Sequence, residues 1–166
     1  MEDEVIKYLS KYVSISNEVK KAILESSLIK SYAKGTILLK EGAISNESFL
    51  VLRGCIRSYY IIDGTEKTTA FYTEEYSITP LSYGKNIPSE HYLECTEYTI
   101  ATVGTPSMEK DMFKRFPELE SVCRVLSEVF LTKNQELFDS YIISSPEERY
   151  LRLLSTRPDL IQRVPQ

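Results

Sequence analysis

The chain has 166 residues, enough for one domain, or one domain with a helical appendage, at about 100–200 residues per domain. Hydrophobic residues make up 42% and charged residues 27%, near the globular averages of about 45–50% and 25%, so the chain buries a core and is not disordered. Twenty basic against 24 acidic residues leave a net charge of −4, which argues against holding nucleic acid by general attraction; any DNA contact is local or lies outside this chain.

Cys55, Cys95 and Cys123 lack the close spacing of a zinc knuckle or an iron–sulfur run and read as buried thiols of a reducing cytoplasm. Met1-Glu2-Asp3-Glu4 is acidic where a signal peptide needs basic residues. No apolar run approaches the roughly 18 residues of a membrane span, so a soluble, cytoplasmic protein without membrane contact is expected. The single histidine, His91, cannot supply a histidine-rich metal site, and no metal or cofactor is expected.

Taken in chain order, Val5, Ile6, Tyr8, Leu9 and Tyr12 recur at three- and four-residue intervals and predict an amphipathic helix. Ser16 is placed to cap a second helix whose buried side comprises Val19, Ala22, Ile23 and Leu28. These helices fill residues 1–30. Over residues 31–104, short β-rich runs alternate with turns at Gly35, Gly42, Gly54, Gly64 and Gly84, the pattern of a β-sandwich or roll. The runs are Thr36 to Lys40, Ser48 to Leu52, Ile56 to Ile62, Lys67 to Tyr72, His91 to Cys95 and Tyr98 to Val103. Asp63-Gly64 supplies the positive φ angles of a tight hairpin turn. Tyr59, Ile61, Thr69 and Phe71 would then share one face, and Tyr60, Ile62, Ala70 and Tyr72 the other. Both faces are apolar enough to predict a sheet covered on both sides.

Pro80, Gly84 and Pro88 interrupt the stretch from Glu74 to Glu90, which reads as a long connection, and connections of that length are often functional. Its Tyr76 and Tyr83 suit either contact with a small molecule or closure of one end of the sandwich. Residues 105–143 read as a short helix, capped by Thr105 with Pro106 at its first position, and a long helix opened by Pro117. Leu119, Val122, Leu126, Val129, Phe130, Leu137 and Tyr141 keep helical spacing along it, with Lys133-Asn134-Gln135 as a polar gap. One stripe is expected to bury against the β-domain and another against the same helix of a second copy. Residues 144–166 begin with the capping box Ser145-Pro146-Glu147-Glu148, which starts another helix that Arg157-Pro158 ends.

No catalytic constellation is visible: the chain lacks a glycine-rich phosphate loop and a nucleophile elbow. Glu74-Glu75 and Glu147-Glu148 are adjacent pairs that point apart and read as solvated surface. His91 reads as an ordinary strand residue before a ligand or proton switch, and Cys55 as a small buried apolar group. Arg53 and Arg57 bracket the Gly54 turn, where they suit an anionic ligand or, more commonly, ion pairs with Glu41 or Glu47.

The order of parts, with Lys34-Gly35-x-x-Leu38-x-x-Glu41-Gly42, Phe49-x-Val51-Leu52-x-Gly54-x-Ile56-Arg57 and the Asp63-Gly64 hairpin, resembles the sensor half of the CRP/FNR (cyclic-AMP receptor) transcription regulators. Glu147-Glu148-Arg149-Tyr150-Leu151-x-Leu153-Leu154 is similar to the helix that leads out of the family's dimer helix. Pro158-x-Leu160-x-Gln162-Arg163-Val164-Pro165-Gln166 is similar to the run before its DNA-binding domain, in the form common among Bacteroidetes regulators.

The resemblance implies an α+β fold: a jelly-roll, or double-stranded β-helix, of cyclic nucleotide-binding type, with N-terminal helices and a long C-terminal dimerisation helix. It also implies a homodimer that is not an enzyme and that takes a small-molecule effector. DNA contact would fall to a winged helix-turn-helix beyond this chain, which reads as a fragment of a longer regulator. Leu119, Val122, Leu126, Val129 and Leu137 would form the dimer seam. Family members that bind cyclic AMP carry a Gly-Glu pair and an arginine between two strands, and the corresponding Ser77 to Ser82 and Pro88 to Glu90 have neither. A ligand other than cyclic AMP is therefore expected, in a pocket between roll and long helix lined by Ile78, Leu81, Tyr83, Ser89 and Tyr92 with Phe130 or Asn134. Two other classes stay open: a ligand-free β-roll that only dimerises or docks, its pocket filled by tyrosines, and a cupin-like small-molecule enzyme, for which one histidine is a poor ligand set.

Overall fold

The chain folds into helices α1 (Glu2–Leu9) and α2 (Asn17–Ser26), strands β1 (Leu28–Tyr32), β2 (Ile37–Leu39), β3 (Ser48–Arg53), β4 (Ile56–Ile62), β5 (Thr65–Tyr72), β6 (Ser77–Ile78), β7 (Tyr92–Cys95) and β8 (Thr99–Gly104), then helices α3 (Pro106–Arg115), α4 (Glu118–Ile143), α5 (Pro146–Thr156) and α6 (Pro158–Arg163). The structure is a computed structural model that describes residues 2–12, 14–26 and 28–164. It divides into two units, with the boundary between Phe116 and Pro117. Pro165 and Gln166, the end of the run compared above with a regulator's linker, lie outside the described residues.

In the first unit two antiparallel sheets form, in the orders β1-β8-β3-β6 and β2-β7-β4-β5. Phe49, Val51, Ile78, Ala101 and Val103 of one sheet meet Leu39, Ile56, Leu93 and Cys95 of the other in a single buried core. This is a sandwich built by alternation, because every second residue of each strand faces the opposite sheet. Val51, Ile56, Leu93, Cys95 and Ala101 are fully buried.

The Asp63-Gly64 hairpin forms as expected: both residues have positive φ (52° and 76°), and Ile62 pairs with Thr65 across the turn. The register slips between Ser58 and Tyr59, so Thr69 is the unpaired residue of a bulge and Tyr59 faces Thr68. Thr69 is therefore not the same-face partner of Tyr59. Covering of the sheet on both sides is also corrected, since residues 61–69 are exposed and the hairpin reaches beyond the core.

Leu28 opens β1 and does not extend the second helix: β1 pairs along its whole length with β8, from Leu28↔Val103 to Tyr32↔Thr99. Between Glu74 and Glu90 the two-residue β6 pairs with Phe49 and Leu50, a strand too short to show periodicity. Ser16 caps α2 through its hydroxyl, which accepts from the Val19 N–H at 3.3 Å. Cys55 and Cys95 are buried and Cys123 is exposed, so the expectation of three buried thiols fails at the helical cysteine. Burial pushes the Cys95 thiol up to about 11, which keeps it protonated and inert.

In the second unit, Ser145 and Glu148 make the reciprocal capping box at the start of α5 (2.8 and 3.3 Å). Arg149 donates to the Tyr141 and Ser144 carbonyls at 3.2 Å, and its guanidinium lies 4.2 Å over the Tyr141 ring, fixing the bend between α4 and α5. Pro158 does not only stop α5; it occupies the first turn of α6, where its missing N–H has no cost.

Candidate functional site

Strand parity decides which side chains enter the roll. Ile56 opposes Cys95 and Ser58 opposes Leu93, so Ile56, Ser58 and Tyr60 of β4 share the inner face with Leu93 and Cys95. Tyr72 opposes Ile56 and packs against the core, and the ring of His91, just before β7, lies beside Tyr60. The inner face thus changes character along its length, from apolar Ile56, Leu93 and Cys95 to Ser58, Tyr60 and His91 at the hairpin end. Buried polar groups of this kind are held by hydrogen bonds. Thr69, at the bulge, donates to the Ser58 carbonyl at 3.3 Å.

The long connection between β6 and β7 ends at this polar patch. Its last residues are pinned to the β2–β3 loop: the Gly42 N–H donates to the Ser89 carbonyl and the Ser89 N–H to the Ala43 carbonyl, each at 2.8 Å, and Ile44 bridges to Pro88. Ser89 is buried, and its hydroxyl donates to the His91 carbonyl at 2.9 Å while accepting the His91 N–H at 3.3 Å. The same oxygen lies 3.3 Å from His91 Nδ1. The Tyr60 ring sits 5.8 Å from the imidazole, tilted by 41°. Burial holds His91 below the usual imidazole range, against a smaller upward pull from Glu90, so the ring is neutral at neutral pH. Burial, with Tyr60 nearby, pushes the Tyr72 phenol up, and it too is uncharged.

Further back in the connection, turns close from the Tyr83 N–H to the Pro80 carbonyl (2.9 Å) and from the Lys85 N–H to the Ser82 carbonyl (3.1 Å). Tyr83 donates its phenol proton to Glu109 Oε1 of α3 at 2.8 Å. Ser82 is buried, and its hydroxyl finds no hydrogen-bond partner among the described residues.

The outer face of the same sheet is an ion and ring cluster. Arg57 Nη2 lies 2.6 Å from Glu94 Oε2 and 2.7 Å from Glu66 Oε2, and its guanidinium sits 4.1 Å above the Tyr59 ring. Tyr59 stacks on Tyr92, with centroids 4.9 Å apart and planes within 10°. Arg57 therefore pairs with neither Glu41 nor Glu47; its carboxylates come from the cross-strand neighbour Glu94 and from β5, while Glu47 takes Lys30 at 3.3 Å. Two carboxylates engage Nε and Nη2 of Arg57, and a ring lies under its guanidinium.

Of the residues anticipated as a pocket, only Ser89 joins the polar inner patch. Ile78 belongs to the apolar core, Leu81 is 70% exposed, Tyr83 is tied to α3, and Tyr92 points to the outer face with Tyr59. Phe130 is half-buried and Asn134 exposed, both on α4 in the second unit. Sequence reasoning missed Ser58, Tyr60 and Tyr72 and set His91 aside. The available signal was parity within β7: Leu93 as a core residue puts Tyr92 outside. Along α4, Leu119 and Val122 are buried and Leu126 and Val129 half-buried, whereas Leu137, Phe138, Tyr141 and Ile142 are exposed. Among the described residues no group of three or more His, Cys, Asp and Glu side chains could hold a metal ion, and no helix is long and apolar enough to cross a membrane.

No family model matches the chain, and no curated protein matches it in sequence. Solved structures do. A cyclic nucleotide-binding domain from Methylobacillus flagellatus KT superposes with a TM-score of 0.73 at 17% identity, over 85% of this chain and 82% of that one. The catabolite activator protein of Thermus thermophilus gives 0.63 at 16% identity, over 81% of this chain and 62% of that one. The N-terminal domain of a transcriptional regulator from Streptomyces coelicolor A3(2) gives 0.62 at 17% identity, over 74% and 89% respectively. The chain shares their fold, and the jelly-roll with N-terminal helices and a long following helix stands as expected.

Proposed function

We propose that this chain is the effector-sensing and dimerisation part of a CRP/FNR-type transcription regulator, acting in the cytoplasm by binding and not by catalysis, with DNA contact made by a segment outside it. The observation that supports this most directly is a fold held in common with a catabolite activator protein and the N-terminal domain of a transcriptional regulator. The exposed apolar side chains of α4, Leu137, Phe138, Tyr141 and Ile142, suit a helix that pairs with its own copy. An effector that binds one arrangement of the paired helices better than another would shift the population of DNA-competent dimers.

The effector is not cyclic AMP. The buried polar side chains of the inner face, Ser58, Ser89 and His91, are uncharged, as is the adjoining Tyr72. Arg57 is outside and paired with Glu94 and Glu66, and Lys67, opposite Tyr60 in the register, is solvated. Enclosing a phosphate there without a buried cation costs roughly several kcal/mol, and Glu90 adds repulsion. Titration calorimetry with cyclic AMP is expected to give no binding heat, and sedimentation equilibrium is expected to give a dimer that Leu137→Lys dissociates. Tight cyclic AMP binding would overturn the ligand reading, and a monomer at every concentration the dimer reading. A second reading, a roll that dimerises without any ligand, is favoured by the Tyr60, Tyr72 and His91 rings that crowd the inner face.

A further inference from the structure

The apolar face of α4 changes direction along the helix. Toward its start, Leu119 and Val122 are buried and Leu126, Val129 and Phe130 half-buried, so this side is already covered within the chain. Toward its end, Leu131, Leu137, Phe138, Tyr141 and Ile142 are 59–70% exposed. At about 100° per residue those five side chains span roughly 140° of the helix circumference, and their centre lies about 100° around from that of the covered side. A seam between two helices needs only a narrow stripe, whereas a face this wide is what a helix buries in a bundle or a globular core.

The surface that matches it is on α5. Tyr150, Leu151, Leu153 and Leu154 share one side of that helix and all are exposed, Tyr150 and Leu151 at 55%. Arg149 holds the bend between the helices through the Tyr141 and Ser144 carbonyls and the Tyr141 ring, so the chain's own α5 leaves the α4 face open. At about 200 Å² for a fully exposed large side chain, the end of α4 offers roughly 600 Å² of apolar surface and α5 brings it to roughly 1,000 Å², against the about 800 Å² per partner of a stable interface. We infer that α5 belongs to the interface between two copies of this chain. The end of α4 and the whole of α5 in one protomer close with the same two segments of its partner into a four-helix bundle, each α5 lying on the other copy's α4. The interface on α4 then runs from Leu131 to Ile142, and of Leu119, Val122, Leu126, Val129 and Leu137 only Leu137 lies in it. This rests on the dimer reading given above and extends its interface beyond the long helix.

Leu151→Lys tests this, because the side chain is solvated in a single copy and enclosed when two copies meet. Circular dichroism of the variant is expected to match that of the unaltered chain. Sedimentation equilibrium is expected to give a dimer whose dissociation constant rises about tenfold in Leu151→Lys and by a similar factor in Phe138→Lys, as for residues at the centre of an interface. Hydrogen exchange of the unaltered chain, read below and above the dissociation constant, is expected to show protection gained both in residues 131–142 and in α5. Should Leu151→Lys not fold, the exchange comparison decides alone. A dimer that Leu151→Lys leaves unchanged, or protection gained in α4 without α5, overturns the inference and leaves the dimer reading standing; either is the outcome expected if a segment outside this chain covers α5. A monomer at every concentration ends both.

Discussion

The two faces of β4 are one residue apart in sequence and opposite in chemistry. Outward, Arg57 and Tyr59 are closed into a cluster in which charges and rings already have partners: Glu94, Glu66 and Tyr92. Inward, Ile56 is sealed in the core, whereas Ser58 and Tyr60 continue the same face, with the His91 ring beside Tyr60. The outer cluster ties β4 to β5 and β7 through charged side chains, whereas the inner face is held by apolar packing at one end and by hydrogen bonds around Ser58 and Ser89 at the other.

The comparison can be broken most forcefully at the apolar end of the inner face. Leu93→Ala empties a fully buried position between the sheets and is expected to cost about 2–5 kcal/mol by denaturant unfolding. A loss well below that would mean that the two sheets do not share one core. Next comes the turn that aligns β3 with β4. Gly54 has φ of 100°, and an added Cβ would lie 2.6 Å from the Tyr98 carbonyl oxygen, so Gly54→Ala is expected to cost about 1–3 kcal/mol in the same assay. On the outer face, Arg57→Ala leaves Glu94, only 20% exposed in its side chain, without its cation, and is expected to cost about 1–2 kcal/mol in the same assay. A loss near zero would show that the ion pair does not hold the outer face together.

The smallest effect sharpens the comparison by pH. The folded-state pKa of His91 is depressed by burial, so its neutral form is favoured on folding. Stability is fully present above the unfolded value of about 6.5 and is lost as pH falls toward the folded value, by less than about 1 kcal/mol between pH 7 and 6 for one such group. Thermal melts across that interval should show the slope in the unaltered chain and a flatter one in His91→Gln; equal slopes would place the titration elsewhere.

Local devices were legible because their causes are local. The Asp63-Gly64 turn needs two residues that tolerate positive φ, the Ser145 capping box needs a hydroxyl and a carboxylate three apart, and Pro106 and Pro117 mark helix starts by a missing N–H; all four occur where the chain pattern puts them. The site was less legible. Tyr92, anticipated as a pocket residue, stacks on Tyr59 at the outer face, and a strand four residues long offers too few alternations to decide its parity from the sequence. Arg57 was assigned carboxylates near in sequence because the ladder that presents Glu94 is formed with a strand 37 positions away.

What the amino-acid order determined by itself is the kind of object: a β-roll with helices before it and a long apolar-striped helix after it, since alternation, turn chemistry and capping act over a few residues. What only the tertiary structure decided is which side chains meet. Cross-strand register and one bulge at Thr69 decide that Glu94 and Glu66 meet Arg57 and that Tyr59 stacks on Tyr92, and each of these depends on where strands come to rest beside one another.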